Sequence, residues 1–165
     1  MLKELSLAFL VSGALLGSGP AHGHPFTVRL EAEAGKISKK AETQTTALGA
    51  KPKTRDVLTL ARGERVRIKW NLKNSDAKAT FKDVIVHCFV VKEAKTGQRE
   101  VPKLNKDVAL ETVNVMDFKP GESTEGELDF VLDRPGSYLL RLETVGAASA
   151  DNLHEYFAAL DLEVR

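Results

Sequence analysis

Cysteine is almost absent from this chain of 165 residues, and its scarcity gives the first constraint on the fold. The single cysteine, Cys88, excludes an intrachain disulfide. A chain of this length buries enough apolar surface to fold without a disulfide or a metal. We expect Cys88 to be buried, because a lone thiol behaves as a small apolar side chain. No cysteine follows the apolar run near the N-terminus, so we expect no lipoprotein anchor.

Sequence motifs that mark catalysis are also lacking. The chain has no Gly-x-Ser-x-Gly elbow, no His-Glu-x-x-His pair and no glycine-rich phosphate loop. The carboxylates of Asp129, Asp133 and Glu143 lie on or beside predicted strands, and no spacing pairs them as an acid and a base. The sequence therefore predicts a protein that is not an enzyme, with no catalytic residues.

Charge of one sign is not concentrated anywhere in the sequence. The formal net charge is +1, and acidic and basic residues alternate along the chain. Without a basic stripe to neutralise phosphates, a nucleic-acid partner is not expected. No later apolar stretch approaches the ~20 residues of a membrane span, so the mature chain should be soluble. The partner is left open as an unknown protein or small ligand.

The first 21 residues are typical of a secretory signal peptide. Lys3 precedes an apolar run over 5–16, and small residues lead to Ala21. We expect cleavage after Ala21, which leaves 22–165 as one domain, and cleavage after Gly23 is the alternative. The predicted location is the periplasm or the extracellular space.

A period of two dominates the rest of the sequence and predicts strands. Over 64–73, apolar and polar residues alternate, as in a strand with one face on the core and one in water. Trp70 is in phase with the apolar residues and is expected in the core rather than in a ligand site. The apolar face of this strand comprises Val66, Ile68, Trp70 and Leu72, and the polar face comprises Arg65, Arg67, Lys69 and Asn71.

Residues 84–91 are apolar on both faces and predict a central strand covered on both sides. The neighbours His87 and Cys88 point to opposite faces of such a strand, so one metal ion could not readily bind both. A blue-copper site is excluded by spacing, since no histidine or methionine closely follows Cys88. We interpret His87 as a hydrogen-bonded interior or interface histidine.

Further strands and turns complete an all-β prediction. Residues 127–132 and 137–142 flank a turn at 133–136 and are expected to pair as a hairpin. Weaker strands are predicted over 26–32, 57–60 and 108–116, and a final strand carries His154 and Tyr156 on one face. Residues 35–55 are expected to form a long surface connection with a short helix around 38–45. These elements predict an antiparallel β-sandwich of about seven to nine strands.

Three segments resemble the immunoglobulin-like, CARDB-type modules of bacterial exported and cell-surface proteins. They are residues 63–74, residues 81–86, and the turn at 119–122 together with 135–140, where Tyr138 follows a turn. The resemblance covers roughly 57–165 and implies a sandwich fold with a binding or spacer role. It implies no catalytic residues.

Histidines beside the predicted cleavage site suggest a second function. After cleavage at Ala21, the new amine, two backbone nitrogens and the His24 imidazole could form a square-planar set suited to Cu(II) or Ni(II). Cleavage after Gly23 would instead leave His24 at the terminus. The run also resembles the start of periplasmic copper-resistance carriers, and that resemblance implies a later histidine, here His154, as a further ligand. As an interaction module, the chain is expected to need no cofactor. In the alternative interpretation, the cofactor is Cu(II) and the candidate metal ligands are His22, His24 and His154.

Overall fold

The computed structural model is all-β and describes residues 25–43, 54–98, 102–104, 107–145 and 156–165. In those residues, no helix is long and apolar enough to cross a membrane. The predicted signal peptide lies outside the described residues, as do His22, His24 and His154. The nine strands are β1 (Phe26–Ala34), β2 (Ile37–Glu42), β3 (Val57–Leu60), β4 (Arg65–Asn74), β5 (Phe81–Glu93), β6 (Val108–Phe118), β7 (Ser123–Val131), β8 (Gly136–Val145) and β9 (Tyr156–Val164).

The strands form two sheets, which confirms the predicted sandwich. One sheet has four strands in the order β2-β1-β4-β7, and the other has five in the order β3-β9-β8-β5-β6. Six neighbouring pairs are antiparallel, as predicted, whereas β3 runs parallel to β9. The parallel pair is short, since it comprises only the four residues of β3.

The core lies between the inner faces of the two sheets, and the alternation seen in the sequence builds it. On β4, Val66, Ile68 and Leu72 are fully buried, while the intervening basic side chains are exposed. The Tyr138 hydroxyl donates a hydrogen bond of 2.7 Å to the carbonyl of Arg134, four residues back across the turn. Tyr138 is therefore a buried structural residue that fixes the entry into β8.

Trp70 lies on the inner face of β4 but is only half-buried. Its neighbour on the edge strand β7 is Gly126. A Cβ atom added there would lie 2.5 Å from Cε2 and 2.9 Å from Nε1 of the indole, and closer still to Cζ2. The indole thus packs directly over the backbone of Gly126, in space that any other residue would occupy.

The hairpin predicted for 127–132 and 137–142 is wrong. Strand β7 pairs with β4 in the four-stranded sheet, whereas β8 pairs with β5 and β9 in the other sheet. The turn between them therefore carries the chain from one sheet to the other. Burial explains the difference, because β8 is buried on both faces and needs a central position, while β7 alternates and forms an edge.

The short helix predicted around 38–45 is also wrong. Residues Ile37–Glu42 form β2, the edge strand next to β1, so this part of the predicted surface connection belongs to a sheet. Edge strands often carry lysines, which discourage pairing with another chain, and Lys39 and Lys40 fit that position. Residues 44–53 of the predicted connection lie outside the described part of the chain.

Candidate interaction surface on the five-stranded sheet

The structure gives a structural role to most of the residues singled out from the sequence. Cys88 is buried on the inner face of β5, and burial raises the pKa of its thiol to about 12, so the thiol is unreactive. Within the described ranges, no group of three or more His, Cys, Asp or Glu residues could hold a metal ion. The metal ligands predicted from sequence are not among those residues.

The outer face of the four-stranded sheet carries several exposed ion pairs. Arg67 contacts Glu127 at 3.1 Å and Asp129 at 3.2 Å, and Lys69 contacts Glu33 at 3.1 Å. The hydrogen bond and charge of Asp129 raise the pKa of the Arg67 guanidinium. Because Arg67 and Lys69 already face carboxylates, their charges are compensated on this surface. It is the solvated face predicted from the sequence.

The outer face of the five-stranded sheet divides into a covered half and an open half. In the covered half, the fully or nearly fully buried side chains of Phe89, Val91, Leu139 and Ala159 form a second small core. Leu104, Val108 and Phe157 pack against it. The prediction that β5 is covered on both sides therefore holds for this half only.

A buried ionic cluster holds the covered half in place. The Arg55 guanidinium donates two hydrogen bonds to Glu93, of 2.9 and 3.0 Å, and its Nε forms an ion pair of 2.5 Å with Asp161. Asp161 also accepts a hydrogen bond of 2.6 Å from the backbone N–H of Gly97. Burial raises the pKa of Glu93, and the charge of Arg55 opposes that shift. The cluster joins three chain segments over the sheet.

The open half begins with a row of polar side chains that lies across three strands. His87 on β5 contacts Glu143 of β8 through Nδ1 at 3.2 Å and Glu111 of β6 through Nε2 at 3.0 Å. Arg141 contacts the other oxygen of Glu143, and its guanidinium carbon lies 3.9 Å from the ring centroid of Phe157. His87 is thus the hydrogen-bonded histidine that the sequence predicts.

Beyond this row, the outer face carries apolar side chains in solvent. Val113 and Val115 on β6 are 58% and 63% exposed, and Ile85 lies directly opposite Val115 on β5 and is 36% exposed. These are three of the five large apolar side chains that are exposed in the described residues. The other two, Ile37 and Val131, lie on the four-stranded sheet.

Strand β6 is also an unprotected edge. No described strand pairs with the backbone edge of β6 that faces away from β5. Glu111 and Asp117 are its only charged residues, and both are engaged, since Glu111 contacts His87 and Asp117 accepts a hydrogen bond from the N–H of Asp83. The five residues between them, 112–116, carry no charge. We refer to residues 112–116 as the uncharged edge segment.

The other sheet edges have the features that prevent strand pairing. Strand β3 has only four residues, β2 carries Lys39 and Lys40, and β7 carries Glu125, Glu127 and Asp129. Short length and charge are the usual means by which proteins block edge-to-edge association. Strand β6 has eleven residues and has neither feature in its middle.

Sequence reasoning identified β6 as a weak strand but missed its exposed edge. The alternation of Val113 and Val115 with polar residues was visible, but the same alternation is typical of a strand with its apolar face on the core. Only the sheet order places this apolar face in solvent.

In comparisons with known proteins, this chain shows similarity in fold only. No protein family matches the chain, and no curated protein matches it. The C-terminal domain of wzt is 9% identical with a TM-score of 0.44, over 82% of this chain and 70% of that one. The PmoD soluble domain from Methylocystis sp. (Rockwell) is 12% identical with a TM-score of 0.47, over 84% and 90%. The resemblance to CARDB-type modules stays a prediction.

Proposed function

We propose that this chain is an exported, non-catalytic interaction module that binds a protein partner through β6 and the adjacent outer face of the five-stranded sheet. The observation that supports this is the uncharged edge segment, which presents two exposed valines on an edge strand with no protecting charge. Backbone N–H and C=O groups along an open edge are a template for a strand from another chain.

The polar row beside the valines supports the same function. His87, Glu111, Glu143 and Arg141 contact one another across the strands, so their side chains are held in place before a partner arrives. Preorganised side chains lose little conformational entropy on binding, which favours affinity. The opposite face of the sandwich is dominated by ion pairs, and its exposed Val131 lies opposite Arg65 at the end of β7.

Gel filtration of extracts from cells that produce the protein tests the proposal. We expect the wild-type chain, detected by antibody, to elute above its monomer mass, and a Val113→Lys/Val115→Lys variant to elute as a monomer. Val131→Lys is the matched control, because Val131 is 47% exposed on the edge of the other sheet. Identical elution of all three chains at the monomer mass would contradict the proposal.

We propose Cu(II) binding by the N-terminal histidines as a second candidate function. Phe26 and Tyr156 have ring centroids 6.0 Å apart. They are two positions along the chain from His24 and His154, and two residues reach at most about 7 Å. The described ends of β1 and β9 therefore support a shared site.

Titration of the mature protein with Cu(II) tests the second candidate. We expect sub-micromolar binding by the native N-terminus and its loss when one extra residue precedes that terminus. A His154→Ala variant should weaken binding if the two ends share the metal. Binding that the extension leaves unchanged would contradict the proposal.

A further inference from the structure

We infer that the partner of the β6 edge is a second copy of this chain, which pairs its own β6 antiparallel to the first. This inference rests on the proposed function and names the partner. A two-fold axis perpendicular to the sheet would join two five-stranded sheets into one of ten strands. Closed two-fold dimers are the commonest assemblies of soluble proteins, and their interfaces must be self-complementary.

The sequence of β6 is self-complementary in one register. When Val113 lies opposite its own copy, the half-buried Leu110 and Met116 face each other on the inner side. In the same register, the polar residues Thr112 and Asn114 are paired on that side. On the outer side, Glu111 faces Val115 of the second copy. No two like charges oppose each other within 110–116.

The next register is less favourable. Centring the axis on Asn114 would place Glu111 opposite Asp117 of the second copy, and the symmetry would create this contact twice. Acidic residues directly opposite each other destabilise a strand pair. Sliding one copy by a single residue relative to the other would place outer side chains opposite inner ones, because side chains alternate with a period of two. Of the registers centred on Val113 and on Asn114, the one centred on Val113 is therefore favoured.

Pairing in this register also extends the apolar surface of the outer face. Val113 of each copy would lie about 5 Å from the other across the axis. Each Val113 side chain would then lose part of the exposure that it has in the single chain. The dimer thus joins the two outer faces into one continuous surface with the two Val113 side chains in contact at its centre.

Sedimentation of the purified mature protein with two lysine substitutions tests the inference and its register. Val113→Lys would place two ammonium groups opposite each other at the axis, so we expect the dimer to weaken at least about tenfold. Val115→Lys would place its ammonium opposite Glu111 of the second copy, so the dimer should persist. Val131→Lys, which lies on the other sheet and away from β6, should behave as wild type.

A cysteine scan gives a second readout that does not depend on affinity. Under oxidising conditions, Val113→Cys should form a disulfide-linked dimer, because the two substituted positions face each other. Val115→Cys should not, since its two copies would be about 14 Å apart along the strands. The native Cys88 does not interfere, because it is buried.

The outcomes separate the inference from the proposed function. A purified protein that is monomeric at all accessible concentrations, and a Val113→Cys variant that does not cross-link, would overturn the second copy as partner. If the wild-type chain still elutes above its monomer mass in extracts, the partner is a different protein and the proposed function stands. Monomers in both experiments would overturn both.

Discussion

Replacing Gly126 with alanine tests the close packing of Trp70 on strand β7. The added Cβ would lie 2.5 Å from Cε2 of the indole, well inside van der Waals contact, so the ring must move. Overpacking of this kind costs ~1–3 kcal/mol, and removal of a strand glycine returns roughly 0.5–1 kcal/mol in backbone entropy. We therefore expect Gly126→Ala to lower the free energy of unfolding by about 1–2 kcal/mol.

The same substitution should change sign when the indole is absent. Trp70→Ala alone should cost about 2–3 kcal/mol, below the ~3–5 kcal/mol of a fully buried tryptophan, because Trp70 is half-buried. In that background, Gly126→Ala should stabilise by ~0.4–1 kcal/mol, since only the entropy gain remains. The two sites should therefore couple by roughly 1.5–3 kcal/mol.

Urea denaturation followed by circular dichroism measures this cycle, because Trp70 is the only tryptophan and its fluorescence is lost in two of the variants. Glu125→Ala, at the exposed neighbouring position, is the control and should change stability by no more than about 0.5 kcal/mol. A Gly126→Ala substitution that is neutral in the parent, or equally costly in both backgrounds, would refute the packing described for the indole.

Three further predictions concern buried polar groups. Arg55→Ala should cost about 3–5 kcal/mol in thermal or urea unfolding, because it leaves two buried carboxylates without their cation. The loss should shrink at acid pH as Glu93, whose pKa is raised by burial, takes up a proton. Arg65→Ala is the control, since the Arg65 side chain is 73% exposed, and it should cost less than ~0.5 kcal/mol. Cys88 should resist alkylation at pH 8 until the chain unfolds. Because its folded pKa is raised to about 12, its contribution to stability should be complete at neutral pH and fall as pH rises from ~8.5 toward that value. Tyr138→Phe should cost about 1 kcal/mol, which equilibrium unfolding measures, since the hydroxyl's hydrogen bond to Arg134 is lost.

Much of the fold can be predicted from sequence patterns that are local to a single strand. Strand β4 was predicted because its apolar residues recur with a period of two, and β5 because both of its faces are apolar. The pairing of strands is not local in this way. The turn before Gly136 indicates that the chain reverses, but the sheet that it enters depends on the burial of β8 among distant strands.

The candidate site was less predictable, because exposure depends on position in the sheet. Val113 and Val115 show the same alternation as core valines, and only the edge position of β6 leaves them in solvent. The cluster of Arg55, Glu93 and Asp161 joins segments distant in sequence and carries no local signal. His87 was easier to interpret, because a histidine in an apolar row requires hydrogen-bond partners once it is buried.

Site-specific photo-cross-linking in cells that produce the protein tests most directly whether β6 is the binding edge. A photoreactive side chain replaces Val113 in one variant and Val131 in another, two valines exposed on different sheets. The account predicts a discrete cross-linked product from position 113, at twice the monomer mass if a second copy binds, and none from position 131. A chain that stays uncross-linked at position 113, or gives the same products from both positions, would contradict it.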